Sequence, residues 1–137
     1  MTFMLMATLV AALAAATPAD AAIFIRLTTT STHRGGIVRL AGNADHMPMY
    51  ALPAARMPCA RYGTCQAAPI HRASPPERPF VFLGDTPSGS GRPRPFAIRL
   101  PRMVRPGRYK VFVWCQTCGG SLIIAGSDSS GQTLRVR

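Results

Sequence analysis

Cys59, Cys65, Cys115 and Cys118 are the residues of this chain best equipped for chemistry, and they come as a C-x5-C and a C-x2-C. An even set of cysteines in an exported chain predicts two disulfides, with three connectivities open. The same four thiolates would also suit a tetrahedral zinc site, although the first spacing exceeds the usual two to four residues. A softer site is offered by His46-Met47-Pro48-Met49, with Met57 and Cys59 nearby, since imidazole and thioether ligands suit copper. Methionines at alternating strand positions more often pack a core. Disulfide formation by all four cysteines is therefore the expectation, with no metal and no cofactor. Cys115, Cys118, His46 and Met49 form the alternative metal-binding or thiol-redox set.

Nothing else in the chain assembles a catalytic group. The acids beyond Asp20 are Asp45, Glu77, Asp85 and Asp128, all in apparent loops, and the histidines are His33, His46 and His71. No paired carboxylates and no His with an acidic orienter stand out, because Asp45-His46 in a loop reads as a solvated pair. The chain is expected not to be an enzyme. Its charge points instead to a partner: 16 Lys+Arg stand against 5 Asp+Glu, a formal +11. Arg92, Arg94, Arg99, Arg102, Arg105, Arg108 and Lys110 make the densest basic run. Such a field attracts anionic material, so the expected partner is an anionic cell-envelope polymer or another protein. Nucleic acid is disfavoured by export and by the lack of aromatics interleaved with the bases.

The elements that must position these residues follow an N-terminal export signal. Met4 to Ala16 is an uncharged apolar run, too short to cross a bilayer, where a helix needs about 20 residues. Thr17-Pro18 ends it, and Ala19-Asp20-Ala21 fits cleavage after Ala21. The n-region Met1-Thr2-Phe3 lacks the usual positive charge. Residues 1–21 are thus expected to be a signal peptide and residues 22–137 a single domain, secreted or periplasmic or associated with the cell wall, with no membrane span left. Loss of Asp20 alone takes the formal charge from +11 to +12.

From Ala22 onward the apolar residues recur with period two, and 13 Pro with 12 Gly in 137 residues leave little room for long helices. Strands are predicted at Ala22–Thr28, Ile37–Ala41, Met47–Leu52, Phe80–Leu83, Phe96–Leu100, from Tyr109 through Trp114, Leu122–Ala125 and Thr133–Val136. Pro48 would confine its strand to an edge or a bulge, and residues 53–79 read as one long loop. Tyr109, Val111 and Val113 face one side of their strand, with Lys110, Phe112 and Trp114 on the other, so that strand should be central. Seven or eight short strands with turns between them predict an all-β antiparallel β-sandwich.

Pro106-Gly107-Arg108-Tyr109 with Val111 and Val113 resembles the P-G-x-Y-x-V-x-V entry into the penultimate strand of immunoglobulin-like and fibronectin-III-like domains. The resemblance implies a tyrosine corner, with Pro106, Gly107 and Tyr109 structural and the Tyr109 hydroxyl bonded to upstream backbone. No cysteine stands two residues after Tyr109, so the inter-sheet disulfide of antibody domains is absent. An immunoglobulin-like strand order would favour the local pairs Cys59–Cys65 and Cys115–Cys118. Trp114-Cys115-Gln116-Thr117-Cys118 also looks like the W-C-x-x-C of thioredoxin-like oxidoreductases, but Gly119-Gly120 and Leu122-Ile123-Ile124 follow in place of the helix that lowers a thiol pKa there. His46-Met47-Pro48-Met49 resembles, slightly, the methionine-rich patches of exported copper-binding β-sandwich proteins. The combined expectation is an exported, non-catalytic binding or structural module.

Overall fold

The structure is a computed structural model that describes residues 22–56, 76–126 and 131–137. The expected signal peptide, Met57, Cys59, Cys65, His71 and Asp128 lie outside the described residues. The strands are β1 (Ile25–Leu27), β2 (Ser31–Thr32), β3 (Ile37–Gly42), β4 (Pro48–Pro53), β5 (Val81–Asp85), β6 (Arg94–Arg99), β7 (Gly107–Cys115), β8 (Ser121–Ile124) and β9 (Thr133–Val136). Helical structure among the described residues is limited to single 3-10 turns at Ala54–Arg56 and Gln116–Cys118. The chain is all-β.

Two sheets form. One has the order β1-β3-β6, and the other runs β2-β9-β7-β4-β5, with β8 also on β7. Alternation decides which face of each strand is buried. In β3, Val38 and Leu40 point inward while Ile37 and Arg39 are exposed. Ile25, Leu27, Val38, Leu40 and Leu100 from the side of the first sheet meet Met49, Ala51, Val111, Val113, Leu134 and Val136 of the second in one core. Ile98 packs against it half-buried. Fully burying one such side chain contributes about 1.5–3 kcal/mol.

Strand β7 holds the second sheet together. It pairs with β4 along one edge from Tyr109 to Val113. Along the other it pairs with β9 from Gly107 to Lys110 and with β8 from Phe112 to Cys115. Strands β8 and β9 thus lie end to end on one edge, joined by Ala125, whose N–H donates to the Val111 carbonyl at 2.8 Å. The excursion between them is closed by the Gln132 N–H donating to the Ala125 carbonyl at 2.7 Å. The Gln132 side chain then serves the edge of β1: its Oε1 accepts from the Leu27 N–H at 2.6 Å and its Nε2 donates to the Leu27 carbonyl at 2.9 Å.

Two features differ from the sequence reading, and a third decides between alternatives within it. The Thr/Ser run after β1 contains β2, which pairs with β9 in parallel, so the second sheet is mixed. The polar residues there are held by backbone bonds from Arg135 to Thr30 and from Arg137 to Thr32, both 2.8 Å, which hydropathy does not encode. Of the edge or bulge expected for Pro48, the edge is excluded because β4 lies between β5 and β7, and an irregularity of the bulge kind stands beside it. Proline is tolerated there as the first residue of the strand, and the register slips next to it between Met49 and Tyr50. Strand β6 begins at Arg94, ahead of the expected Phe96.

Pro106 and Gly107 lead the chain into β7, and Gly107 adopts φ 154°, in the region that favours glycine. Two residues on, Tyr109 is buried and its hydroxyl donates to the Arg105 carbonyl at 2.6 Å. Tyr109→Phe keeps the ring in the core and removes that bond. It should lower unfolding free energy by about 1 kcal/mol, read as a shift of the urea midpoint at unchanged slope.

Candidate functional site

The two ends of the molecule differ in charge, and the register shows why. The N-terminal end of β7 lies beside the last residues of β9 and of β4, since Gly107 pairs with Val136 and Tyr109 with Pro53. Arg56 follows β4 and Arg78 precedes β5, which enters alongside it with Val81 opposite Ala51. Arg34 donates through Nε and Nη2 to the Arg102 carbonyl at 3.2 and 3.0 Å, and its N–H donates to the Arg137 carbonyl at 3.2 Å. Arg99 Nη1 donates to the Gly35 carbonyl at 3.1 Å. Together with Arg105, Arg108 and Arg135, these residues crowd guanidinium groups at one end, and the one described acid there is Glu77.

The densest basic run of the sequence is therefore divided. Arg94 sits at the far end of β6 and is turned inward. Its Nη2 donates to the Ala44 carbonyl at 3.0 Å and to the Pro87 carbonyl, and Nη1 reaches the Gly42 and Arg92 carbonyls at 3.4 and 3.3 Å. It also lies 3.7 Å from the Asp45 carboxylate and 5.7 Å from the Phe96 ring centre. Lys110 is similarly committed, its Nζ donating to Thr133 Oγ1 at 2.9 Å and to the Gly131 carbonyl at 3.1 Å. Arg105 and Arg108, by contrast, are exposed.

At the arginine-rich end, Arg56, Arg78 and Arg105 line a groove of about 690 Å³ with Pro79, Phe80, Val81, Phe82 and Met103. Its aromatic side continues into packed rings: Tyr50 stands 5.6 Å from Phe82 and 6.5 Å from Phe80, and Phe80 stands 5.8 Å from Phe112. Behind them Leu52 and Phe112 form a small core on the outer face of the second sheet, with Leu122 and Ile124 against it. Among the described residues, none of the three groove arginines has a carboxylate within 4.0 Å.

The opposite end carries the expected thiol chemistry. Cys115 and Cys118 form a disulfide across the 3-10 turn, with their Cα atoms 5.2 Å apart. Gly119 and Gly120 follow, both at φ 76°, and turn the chain back into β8. Cys115 is buried and Cys118 exposed. Trp114 is fixed by its Nε1 donating to the Gly120 carbonyl at 3.1 Å. A cleft of about 300 Å³ beside it is lined by Asp45, His46, Met47, Pro48, Asp85, Trp114, Gln116 and Thr117.

The alternative metal set is not brought together there. His46 is exposed, at φ 49°, while Met49 is wholly buried in the core between the sheets. Among the described residues no three His, Cys, Asp or Glu side chains converge as a metal site. Sequence reasoning missed the groove, because Arg56, Arg78 and Met103 come from separate connections. The apolar character of both faces in Phe80–Leu83 was the available signal. Comparison with protein-family models, with curated proteins and with solved structures finds no match for this chain.

Two measurements check this geometry. In the chain-entropy account, opening so short a disulfide loop costs about 2 kcal/mol, so Cys118→Ala should lower stability by that amount, read as a shift of the urea midpoint under non-reducing conditions. Burial, and then the nearby Asp85 carboxylate, raise the Tyr50 phenol above its ordinary 10.0. The folded chain thus keeps a proton that the unfolded chain releases. The stabilising contribution is complete below pH 10.0 and is lost as pH rises through the raised value. Tyr50→Phe should flatten the fall in stability above pH 10.0, as followed by urea titrations across that range.

Proposed function

We propose that this protein is an exported, non-catalytic β-sandwich module that binds an anionic surface at the cell exterior. The observation that carries the reading is the crowding of arginines at the end where β7 begins and where β4 and β9 finish. Like charges gathered at one end repel, and an anionic partner relieves that repulsion while gaining the attraction of the whole patch. Export is supported by the apolar run Met4–Ala16 with the small residues Ala19 and Ala21.

An immunoglobulin-like or fibronectin-III-like sandwich is supported by the strand order. In that naming, β1, β3 and β6 would be A, B and E, while β5, β4 and β7 would be C′, C and F. Strands β8 and β9 would be the two halves of G. The bond from the Tyr109 hydroxyl to the Arg105 carbonyl fits the tyrosine corner of such domains. In this family of folds, loops at the ends of the sheets carry binding, which suits a patch built from connections.

A thiol-redox role is the competing reading, favoured by the exposure of Cys118 in a closed C-x2-C pair. Against it, Cys115 lies at the buried end of a strand, and the helical structure it caps is a single 3-10 turn, Gln116–Cys118, too short to supply the dipole of a full helix. Turnover of a disulfide substrate by the purified protein would favour this reading over the binding module.

Retention on immobilised dextran sulfate tests the binding reading. Retention should weaken steeply with salt. Arg105→Glu with Arg108→Glu should cost about tenfold in affinity, roughly 1.4 kcal/mol, while Arg92→Glu at the far end should cost little. Salt-independent retention, or equal loss from Arg92→Glu, would remove the assignment.

A further inference from the structure

Resting on the anionic-surface reading, we propose that the groove is a peripheral membrane-docking site, at which Arg56, Arg78 and Arg105 meet anionic phospholipid headgroups while Met103 and Phe82 enter the interfacial region. Met103 and Phe82 are the two most exposed large apolar side chains among the described residues, at 76% and 52%, and both line this one groove. A water-soluble polyanion would satisfy the guanidinium groups and leave both side chains in water. A lipid surface offers phosphate and hydrocarbon within one layer, so it complements both halves of the groove.

Met103 is presented by a rigid support. The turn Pro101–Val104 is closed by the Val104 N–H donating to the Pro101 carbonyl at 3.1 Å. Val104 is buried in the main core. On one side Arg34 holds the Arg102 carbonyl, and on the other the Tyr109 hydroxyl holds that of Arg105. Four successive residues are thereby fixed, with Met103 outermost. Phe82 is held by its contact with Tyr50, 5.6 Å between ring centres. Little backbone freedom of this turn remains to be lost on docking, which favours binding by prior organisation of the loop.

The experiment is co-sedimentation of the purified protein with vesicles of phosphatidylcholine alone and of phosphatidylcholine and phosphatidylglycerol in equal parts. The dextran sulfate column is run in parallel, on the wild type and on the double variant Phe82→Ser with Met103→Ser. Both positions are exposed, and a thermal melt checks that the variant is folded. The wild type should pellet with the phosphatidylglycerol vesicles, in a salt-sensitive manner, and not with phosphatidylcholine alone. The double variant should partition roughly tenfold or more weakly into the same vesicles, with dextran sulfate retention unchanged. Retention on dextran sulfate without vesicle binding, or vesicle binding indifferent to the two serines, would overturn the membrane site and leave the anionic-surface reading intact. Failure to bind either material would overturn the anionic-surface reading itself.

Discussion

Burial of both faces of β7 is the constraint on which the arrangement depends. Val111 and Val113 fill the core between the sheets, and Phe112 anchors the smaller core on the outer face. A strand apolar on both sides is stable only with neighbours on both edges and cover on both faces. Here β4 supplies one edge, and β8 with β9 the other. The two ends of β7 then fix what lies beyond them. At its start the Tyr109 hydroxyl holds the connection carrying Met103 and Arg105, and at its finish Cys115 closes onto Cys118. Each end of the strand thus sets up one of the two candidate sites.

The division of charge is a consequence of which connections fall at which end. Strand faces that pack a core exclude guanidinium groups, so the described arginines stand on outward strand positions, as Arg26, Arg39, Arg99, Arg108 and Arg135 do, or in the connections. The connections at the start of β7 receive Arg34, Arg56, Arg78, Arg102 and Arg105, while the far end holds Asp45, Asp85 and Arg92 with the inward-facing Arg94. Screening over about 8 Å at physiological salt keeps the crowding tolerable. The arrangement is stable in water, and it leaves electrostatic free energy to be gained from an anionic partner. Arg94 shows that sequence density does not measure availability: it belongs to the basic run, yet its donors are spent on the carbonyls of Gly42, Ala44 and Pro87.

Strand periodicity was legible because half-buried strands impose it. Ile25 with Leu27, Val38 with Leu40, and Leu134 with Val136 alternate cleanly and are all buried. The central position of β7 was legible for the complementary reason, the apolar residues on both its faces. Strand β2 was not, since Ser31 and Thr32 are placed by backbone bonds that any side chain would permit. Met49 carried two meanings in sequence, as a soft ligand and as a core residue, and burial assigns it to the core. The groove was hidden for a topological reason. Arg56, Arg78 and Met103 become neighbours only once β4, β5 and β7 are in register, and no local pattern encodes a register among three strands.

The separation of the two ends also governs whether they can influence one another. Nine residues of β7 span about 30 Å, well beyond a Debye length, so the disulfide and the arginine cluster do not communicate through charge. Mechanical coupling would need an element with two discrete arrangements. A strand packed on both faces and paired on both edges is poorly suited to that, because moving it disrupts the core and the ladder together. Opening Cys115–Cys118 would instead release the turn and the start of β8, where the side chains from Ser121 to Ile124 are only half-buried. The connection bearing Met103 is held independently by Val104, Arg34 and Tyr109. Loss of that disulfide would therefore loosen the β8 edge of the second sheet, while the geometry of the arginine-rich end follows from the main core.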